Sequence, residues 1–491
     1  MQFYIIQIAE KTYSFTTTTN FFLKPNRHYV CKINNIMTKC QFNKNGNISY
    51  FSTHCNLNLP LYQDININFK VCRKTCGTYI NTPEIHTSSL IPVGASYSLT
   101  FNAGKDKCTL ILDTGSSTIT CPVKGIFYPK DSFGNNLPTY KLNEKKYSGV
   151  NQYIKYDEGS EGMVVVKDCF GIGNKRMYMM FGAGIYGQNN ESLCCKGGII
   201  GLSFSIINYS LNFEKINIKK ESCANCTQEI KCPSDFWKID NFDLNKNYPS
   251  FMEYIGTRYS KYQQKFGYYA RNWKINFDVK DSPDYYGKFI LGSGEEQKDL
   301  YVGELTTFPL QIIKDFKPYL YQIKLVNIQF KKGNNLFTVD IEKELTNPLN
   351  TNFIDSGTTL LKYFWNKQTI IGFADFITSL GIKTQNGELF FDKYNVEQIF
   401  FEGINIPNSD VVLEDWPEVI YNIEDSAGNS KSLFVSPSTY FEQNNNETQN
   451  IGLEILEIEG TNWNILGLVF LSQNYVVFDY ANKLVKIAPK K

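Results

Sequence analysis

One short device occurs twice in this chain, 242 positions apart, and it restricts the fold more than any average over the sequence does. The apolar run Thr109-Leu110-Ile111-Leu112 leads directly into Asp113-Thr114-Gly115-Ser116-Ser117, and Asn352-Phe353-Ile354 leads into Asp355-Ser356-Gly357-Thr358-Thr359. Each copy ends a strand-like run on a carboxylate and adds a hydroxyl. It then turns on a glycine that lets the backbone approach a neighbour, and supplies further hydroxyls able to hydrogen-bond the carboxylate. A second device follows each copy, Ile199-Ile200-Gly201 and Ile465-Leu466-Gly467, an apolar pair plus glycine suited to pack under an Asp loop. A lone Asp-Ser-Gly is ordinarily a turn that ends a strand. Two matched copies with matched followers read instead as an internal duplication with one carboxylate per half.

The length agrees, since 491 residues exceed what one hydrophobic core usually organises. With 42% hydrophobic and 15% aromatic residues the chain has ample material for two cores. The net charge of +2 removes any global basic field, so nucleic acid is not an expected partner. From about residue 97, short apolar or alternating runs near 99–102, 108–112, 163–167, 274–279, 288–291, 321–330 and 475–479 are separated by Gly, Asn and Asp turns, which predicts a mostly β protein. Helical spacing interrupts it near 250–264 and 364–380, and a polar, Cys-bearing stretch near 208–247 reads as a surface insertion.

There are three histidines, His28, His54 and His86, all in the first fifth of the chain. A Ser-His or Cys-His nucleophile, or a histidine zinc site, would have to borrow from the extreme N-terminus. Carboxylates and hydroxyls are left to carry the chemistry. If the halves face each other, Asp113 and Asp355 meet at the interface, where clefts form. Two close carboxylates cannot both ionise readily, so they share a proton, one acting as base while the other donates. Such a pair activates a water with no metal and no cofactor, and none is expected.

Charge also divides the chain. Residues 1–96 hold nine Lys or Arg against three Asp or Glu, net +6, and the remainder carries net −4. The thirteen cysteines end at Cys232 and lack matched ligand pairs. Cys223-Ala-Asn-Cys226 with Cys232 is half a zinc-ribbon spacing without its second pair, so disulfides in an oxidising compartment fit better than metal. The odd total leaves a thiol free or shared between chains. Sequons at Asn47, Asn190, Asn208, Asn225 and Asn446 suit a secreted glycoprotein. The run 3–9 is a weak signal-like segment, and no later run has the ~18 apolar residues that cross a bilayer. A secretory route is expected, with a secreted or lysosomal/vacuolar destination.

The paired loops resemble those of the pepsin-like aspartic proteases, over roughly 97–491. Further matches are Gly198-Ile199-Ile200-Gly201-Leu202, Gly287-Lys288-Phe289-Ile290-Leu291-Gly292, Tyr321-Gln322-Ile323, Ser436-Pro437-Ser438-Thr439-Tyr440, and the closing run from Ile465 to Asp479. The resemblance implies a bilobal acid-protease fold, two duplicated β lobes (97–270 and 271–491) with a central cleft and a flap hairpin, behind a leader at 1–96. It implies Asp113 and Asp355 as the catalytic dyad. Thr114 and Ser356 become a crossed hydroxyl grip, Ser116 and Thr358 bond the outer carboxylate oxygens, and Gly115 and Gly357 belong to the same loops. On the flap it implies Tyr156, with Gly159 and Ser160 toward substrate; by their charge, the turn residues Asp157 and Glu158 would disfavour acidic substrates or favour basic ones.

The family pattern is broken in two places. The position usually held by a flap-steadying Trp is Thr120, followed by Cys121, and the C-terminal lobe has no cysteine for its usual disulfide. Extra cysteines in the N-terminal region are more in the manner of the nepenthesin and plasmepsin-like branches. The leader reads either as a cationic inhibitory prosegment, held over the carboxylates by charge, or as a retained disulfide-linked module. The expectation is a monomeric aspartic endopeptidase acting on internal peptide bonds of proteins, best at acidic pH. The alternatives are a proteolytically silent pepsin-like binding protein and a Cys-rich adhesion glycoprotein, the last of which leaves the paired motifs unexplained.

Overall fold

The computed structural model describes strand backbones within 4–70, and residues 86–93, 96–131, 134–156, 159–173, 175–188, 197–205, 248–258, 263–270, 287–311, 320–341, 351–400, 403–443, 447–458 and 463–491. Its contacts divide the chain into two units, Met1–Thr78 and Tyr79–Lys491.

The first unit is a six-stranded sheet of β1 (Tyr4–Ile8), β2 (Lys11–Phe15), β3 (His28–Ile33), β4 (Ile36–Phe42), β5 (Ile48–Ser52) and β6 (Ile67–Lys70), in the order β2-β1-β6-β3-β4-β5. Cys31 and Cys40 fall on the hairpin β3–β4.

The second unit opens with β7 (His86–Ser89), β8 (Ile91–Val93), β9 (Ser96–Ala103), β10 (Asp106–Asp113), β11 (Ile119–Pro122), β12 (Tyr147–Tyr156), β13 (Gly159–Ile172), β14 (Lys175–Gln188) and β15 (Ile199–Gly201). All but β7 form an eight-stranded sheet, β12-β13-β14-β11-β15-β10-β9-β8, and β13 also pairs with β9. Next come β16 (Lys265–Tyr269), β17 (Lys288–Leu291), β18 (Thr306–Pro309), β19 (Gln322–Ile323), β20 (Leu325–Lys332), β21 (Asn335–Asp340), β22 (Thr351–Ile354) and β23 (Leu361–Trp365). The chain closes with β24 (Ile406–Pro407), β25 (Glu418–Glu424), β26 (Ser430–Val435), β27 (Phe441–Gln443), β28 (Thr448–Ile451), β29 (Leu453–Glu457), β30 (Trp463–Leu466), β31 (Asn474–Asp479) and β32 (Leu484–Pro489). They build sheets β19-β22-β30-β23-β29, β21-β20-β25-β26 and β24-β28-β27, and a six-stranded sheet β18-β32-β31-β16-β17-β7. The protein is mostly β, in keeping with the bilobal pepsin-like fold.

The duplicated motifs occupy equivalent places. β15 runs parallel to β10, with Asp113 opposite Gly201, and antiparallel to β11, with Ile119 opposite Ile200. β30 runs parallel to β22, with Ile354 opposite Leu466, and antiparallel to β23, with Leu361 opposite Leu466. The apolar-apolar-Gly segments are thus the central strands that each Asp-bearing strand needs to be buried on both sides. Gly201 and Gly467 are glycines because a Cβ there would stand 2.4 Å from the Ser117 backbone and 2.1 Å from the Leu360 carbonyl oxygen. Between the halves, the fully buried Tyr321 donates its hydroxyl to Leu202 O at 3.0 Å, and Phe204 stacks on Tyr480 at 4.4 Å between centroids.

Several elements differ from the sequence expectation. The helix read at 364–380 begins at Lys367, because 361–365 alternates buried and half-buried positions as a strand and Asn366 caps the helix by accepting from Thr369 N at 3.0 Å. The helix read near 250–264 is Phe251–Arg258. Lys175–Gln188 carries no strand pattern through Gly182-Ala183-Gly184, yet it is a central strand. Cys108 and Cys121 are buried free thiols, while Cys169 is disulfide-bonded. Burial pushes the Cys121 thiol well up, and the neighbouring Cys108 thiol adds to it. The run 274–279, the insertion 208–247, the sequon asparagines and Cys55, Cys72, Cys76, Cys194, Cys195, Cys223, Cys226 and Cys232 lie outside the described residues.

Because the Gly467 Cβ position is occupied by backbone oxygens of Leu360 and Thr358 rather than by side chains that could swing away, Gly467→Ala should destabilise the fold by about 3 kcal/mol in chemical denaturation. An unchanged midpoint would contradict this packing.

Candidate active site

Each Asp stands where its strand ends. Asp113 closes β10, and its carbonyl accepts Leu202 N at 2.8 Å; Asp355 follows β22, and its own N–H donates to Leu466 O at 3.1 Å. The main chain then turns so that the next two residues of each loop face the other half. Thr114 N donates to Ser356 Oγ at 3.1 Å and Ser356 N donates to Thr114 Oγ1 at 2.9 Å. Thr114 Oγ1 donates to Ile354 O at 2.9 Å, and Ser356 Oγ donates to Leu112 O at 2.7 Å. Both hydroxyls are fully buried, and each acts once as donor and once as acceptor across the interface. Four bonds therefore tie two loops that are far apart in sequence.

The clamp brings the carboxylates over each other's glycines. A Cβ on Gly115 would lie 2.7 Å from the Asp355 carboxylate, and one on Gly357 would lie 2.5 Å from Asp113 Oδ1. Only hydrogen at these two positions lets the groups come together. Within each loop the inner oxygen accepts a backbone amide, Gly115 N to Asp113 Oδ1 and Gly357 N to Asp355 Oδ1, both 2.8 Å. The outer oxygen accepts a hydroxyl, Ser116 Oγ to Asp113 Oδ2 at 2.5 Å and Thr358 Oγ1 to Asp355 Oδ2 at 2.6 Å. Both Asp residues retain 7% exposure, so one edge of the pair still meets solvent.

Burial pushes the Asp113 carboxyl well above the usual carboxylate range, and the neighbouring Asp355 charge adds to it; the Ser116 and Gly115 bonds pull the other way without winning. Hydrogen bonding to the Asp355 carboxyl also favours the protonated form of Asp113.

The hairpin β12–β13 ends with Tyr156 opposite Gly159 and Lys155 opposite Ser160, and Ser160 also pairs with Gln188. The backbone thus forms the tight hairpin expected, while the Tyr156 side chain and the turn residues 157 and 158 lie outside the described residues. Thr120, in the position of the usual Trp, is fully buried and donates its hydroxyl to Met163 Sδ at 3.4 Å. Met163 was not legible as a site feature, since it reads as an ordinary apolar strand residue, and Tyr321 was legible as part of the motif Tyr321-Gln322-Ile323 but not as a bridge to Leu202.

Asp113 has a sign-definite effect on stability. The folded state holds its proton more tightly than the unfolded chain, so stability falls as pH rises from the ordinary carboxylate value, about 4, up to the raised folded value, by at most about 1.4 kcal/mol per pH unit. Asp113→Asn should flatten that part of the stability–pH curve and leave the variant more stable than the parent above it, as read from denaturation midpoints. A variant curve that tracks the parent would contradict the burial argument.

Residues 276–490, which include the second Asp loop, match the family model described as eukaryotic aspartyl protease. No curated protein matches the chain. Through that stretch the chain is similar to the eukaryotic aspartyl proteases, the pepsin-like family.

Proposed function

We propose that this protein is an aspartic endopeptidase that hydrolyses internal peptide bonds of proteins with a water held between Asp113 and Asp355. The observation that carries the reading is the crossing of each carboxylate over the other loop's glycine, which leaves one proton for two acids and one open edge toward the cleft. One carboxylate takes a proton from the water as its oxygen adds to the scissile carbonyl carbon, and the other gives its proton to the carbonyl oxygen. In the second step a proton passes from one carboxyl to the leaving nitrogen while the other carboxylate takes a proton from a hydroxyl of the tetrahedral diol, so the C–N bond breaks, the carbonyl re-forms and the pair is returned with one proton. No covalent intermediate forms. The pair works while it holds a single proton, which places the optimum on the acidic side, extended upward by the raised Asp113.

In this reading Thr114, Ser356, Ser116 and Thr358 hold the carboxylates, and Tyr156, Gly159 and Ser160 line the substrate side of the hairpin. The enzyme works as a monomer in a secreted or lysosomal/vacuolar compartment, which the partly disulfide-bonded cysteines and the family suit. Among the described residues no helix is long and apolar enough to cross a membrane.

Hydrolysis of an unfolded protein at acidic pH, blocked by a statine-type inhibitor, tests the assignment. Asp113→Asn and Asp355→Asn should each lower kcat by about 10³-fold or more. Activity within tenfold of the parent in either variant ends the mechanism, and inhibitor binding without hydrolysis by the parent points to the silent binding protein.

For the leader, the edge position of β7 on β17, with Phe289 opposite Ser88, supports keeping the chain from His86 onward within the protease unit. If the leader is removed in maturation, mass spectrometry of the secreted form should find a start upstream of His86; a start near 97 would overturn this boundary.

A further inference from the structure

We propose that Met163 is a positioning residue that seats the β12–β13 hairpin on its lobe, its thioether reaching across Gly182 to the Thr120 hydroxyl. The inference rests on the reading of that hairpin as one wall of the substrate cleft.

The sheet order β13-β14-β11 puts a whole strand between Met163 and Thr120. At the crossing that strand has no side chain: Gly182 lies opposite Val165 on one side and opposite Thr120 on the other. Any Cβ on Gly182 would stand 2.2 Å from Met163 Sδ and 2.8 Å from its Cγ, so the thioether occupies the volume that another residue at 182 would fill. The Thr120 hydroxyl donates to Met163 Sδ at 3.4 Å, with Met163 at 1% exposure and Thr120 at 0%. An unbranched, polarisable side chain with a weak acceptor is the type that can make such a reach and still satisfy a buried hydroxyl.

The position of the seat gives it leverage. Against β14, Gly162 pairs with Tyr186 and Met163 with Gly184, so Ile185 is left over and the ladder shifts at this point. Such irregularities bend a strand and re-aim what lies beyond them. The residues beyond are 159–162, the end of the hairpin. At the other end of the contact, Thr120 lies on β11, the first strand after the Asp113 loop. One contact therefore links the orientation of the hairpin end to the strand that leaves the carboxylate loop.

The second half of the chain uses the matching place differently. Ile119 opposite Ile200 corresponds to Leu361 opposite Leu466, which makes Lys362 the counterpart of Thr120. Lys362 pairs with Glu454 at 3.1 Å on the adjacent β29 and seats no hairpin. The Thr120–Met163 contact is a specialisation of the first half rather than a requirement of the duplicated sheet.

Met163→Ala and Gly182→Ala test it together, because the first removes the thioether and the second displaces it while leaving Met163 intact. Each should raise KM for a peptide substrate by about tenfold with kcat within about threefold and an unshifted pH profile, a split that general loss of stability does not produce. Both should also speed amide hydrogen exchange in 152–162, and Met163→Leu, which refills most of the volume, should restore most of the affinity. Folded Met163→Ala and Gly182→Ala proteins with parental KM and parental exchange would overturn the proposal. If the parent hydrolyses nothing, the protease reading fails, and the exchange rates alone then decide the seat.

Discussion

The crossed bonds between Thr114 and Ser356 are the constraint on which the rest of the molecule depends. A hydroxyl that accepts an amide from the opposite loop and donates to a carbonyl behind it has committed its one donor. Loss of one partner therefore leaves buried donors and acceptors unmet at about 1–3 kcal/mol each. Such a clamp has one satisfactory geometry, and that geometry sets the carboxylates over each other's glycines. The eight-stranded sheet of the first half and the five-stranded sheet of the second each bring one loop to the clamp on the end of a buried strand.

The clamp also fixes the electrostatics. Two carboxylates taken out of water and held together would repel strongly if both were charged, and desolvation already disfavours charge on Asp113. The amides of Gly115 and Gly357 and the hydroxyls of Ser116 and Thr358 offset part of that cost by bonding the charged form. The balance favours the protonated form of Asp113.

The sequence reveals what is local and repeated. The Asp loops and their apolar-apolar-Gly followers are legible because strand, turn and hydroxyl are adjacent in the chain and the pattern occurs twice. It hides what depends on residues brought together from afar. Thr120 and Met163 are 43 positions apart and meet only because a glycine on an intervening strand has no side chain. β7, spelled His-Thr-Ser-Ser, has no apolar pattern, and joins a sheet with residues near 290 through its backbone at an exposed edge. Phe364 and Trp365 fit both a helical and an alternating pattern, and the Asn366 cap settles the boundary. In each case local pattern left two solutions open and tertiary pairing selected one.

The central claim is that Asp113 and Asp355 hold one proton between them as a consequence of the clamp. Neutron diffraction from deuterated crystals near about pH 5, above the ordinary carboxylate range, reads it directly. The account predicts a single deuteron shared by the two carboxyl groups. Two bare carboxylates at that pH, or carboxyl groups held apart with separate hydration, would contradict it.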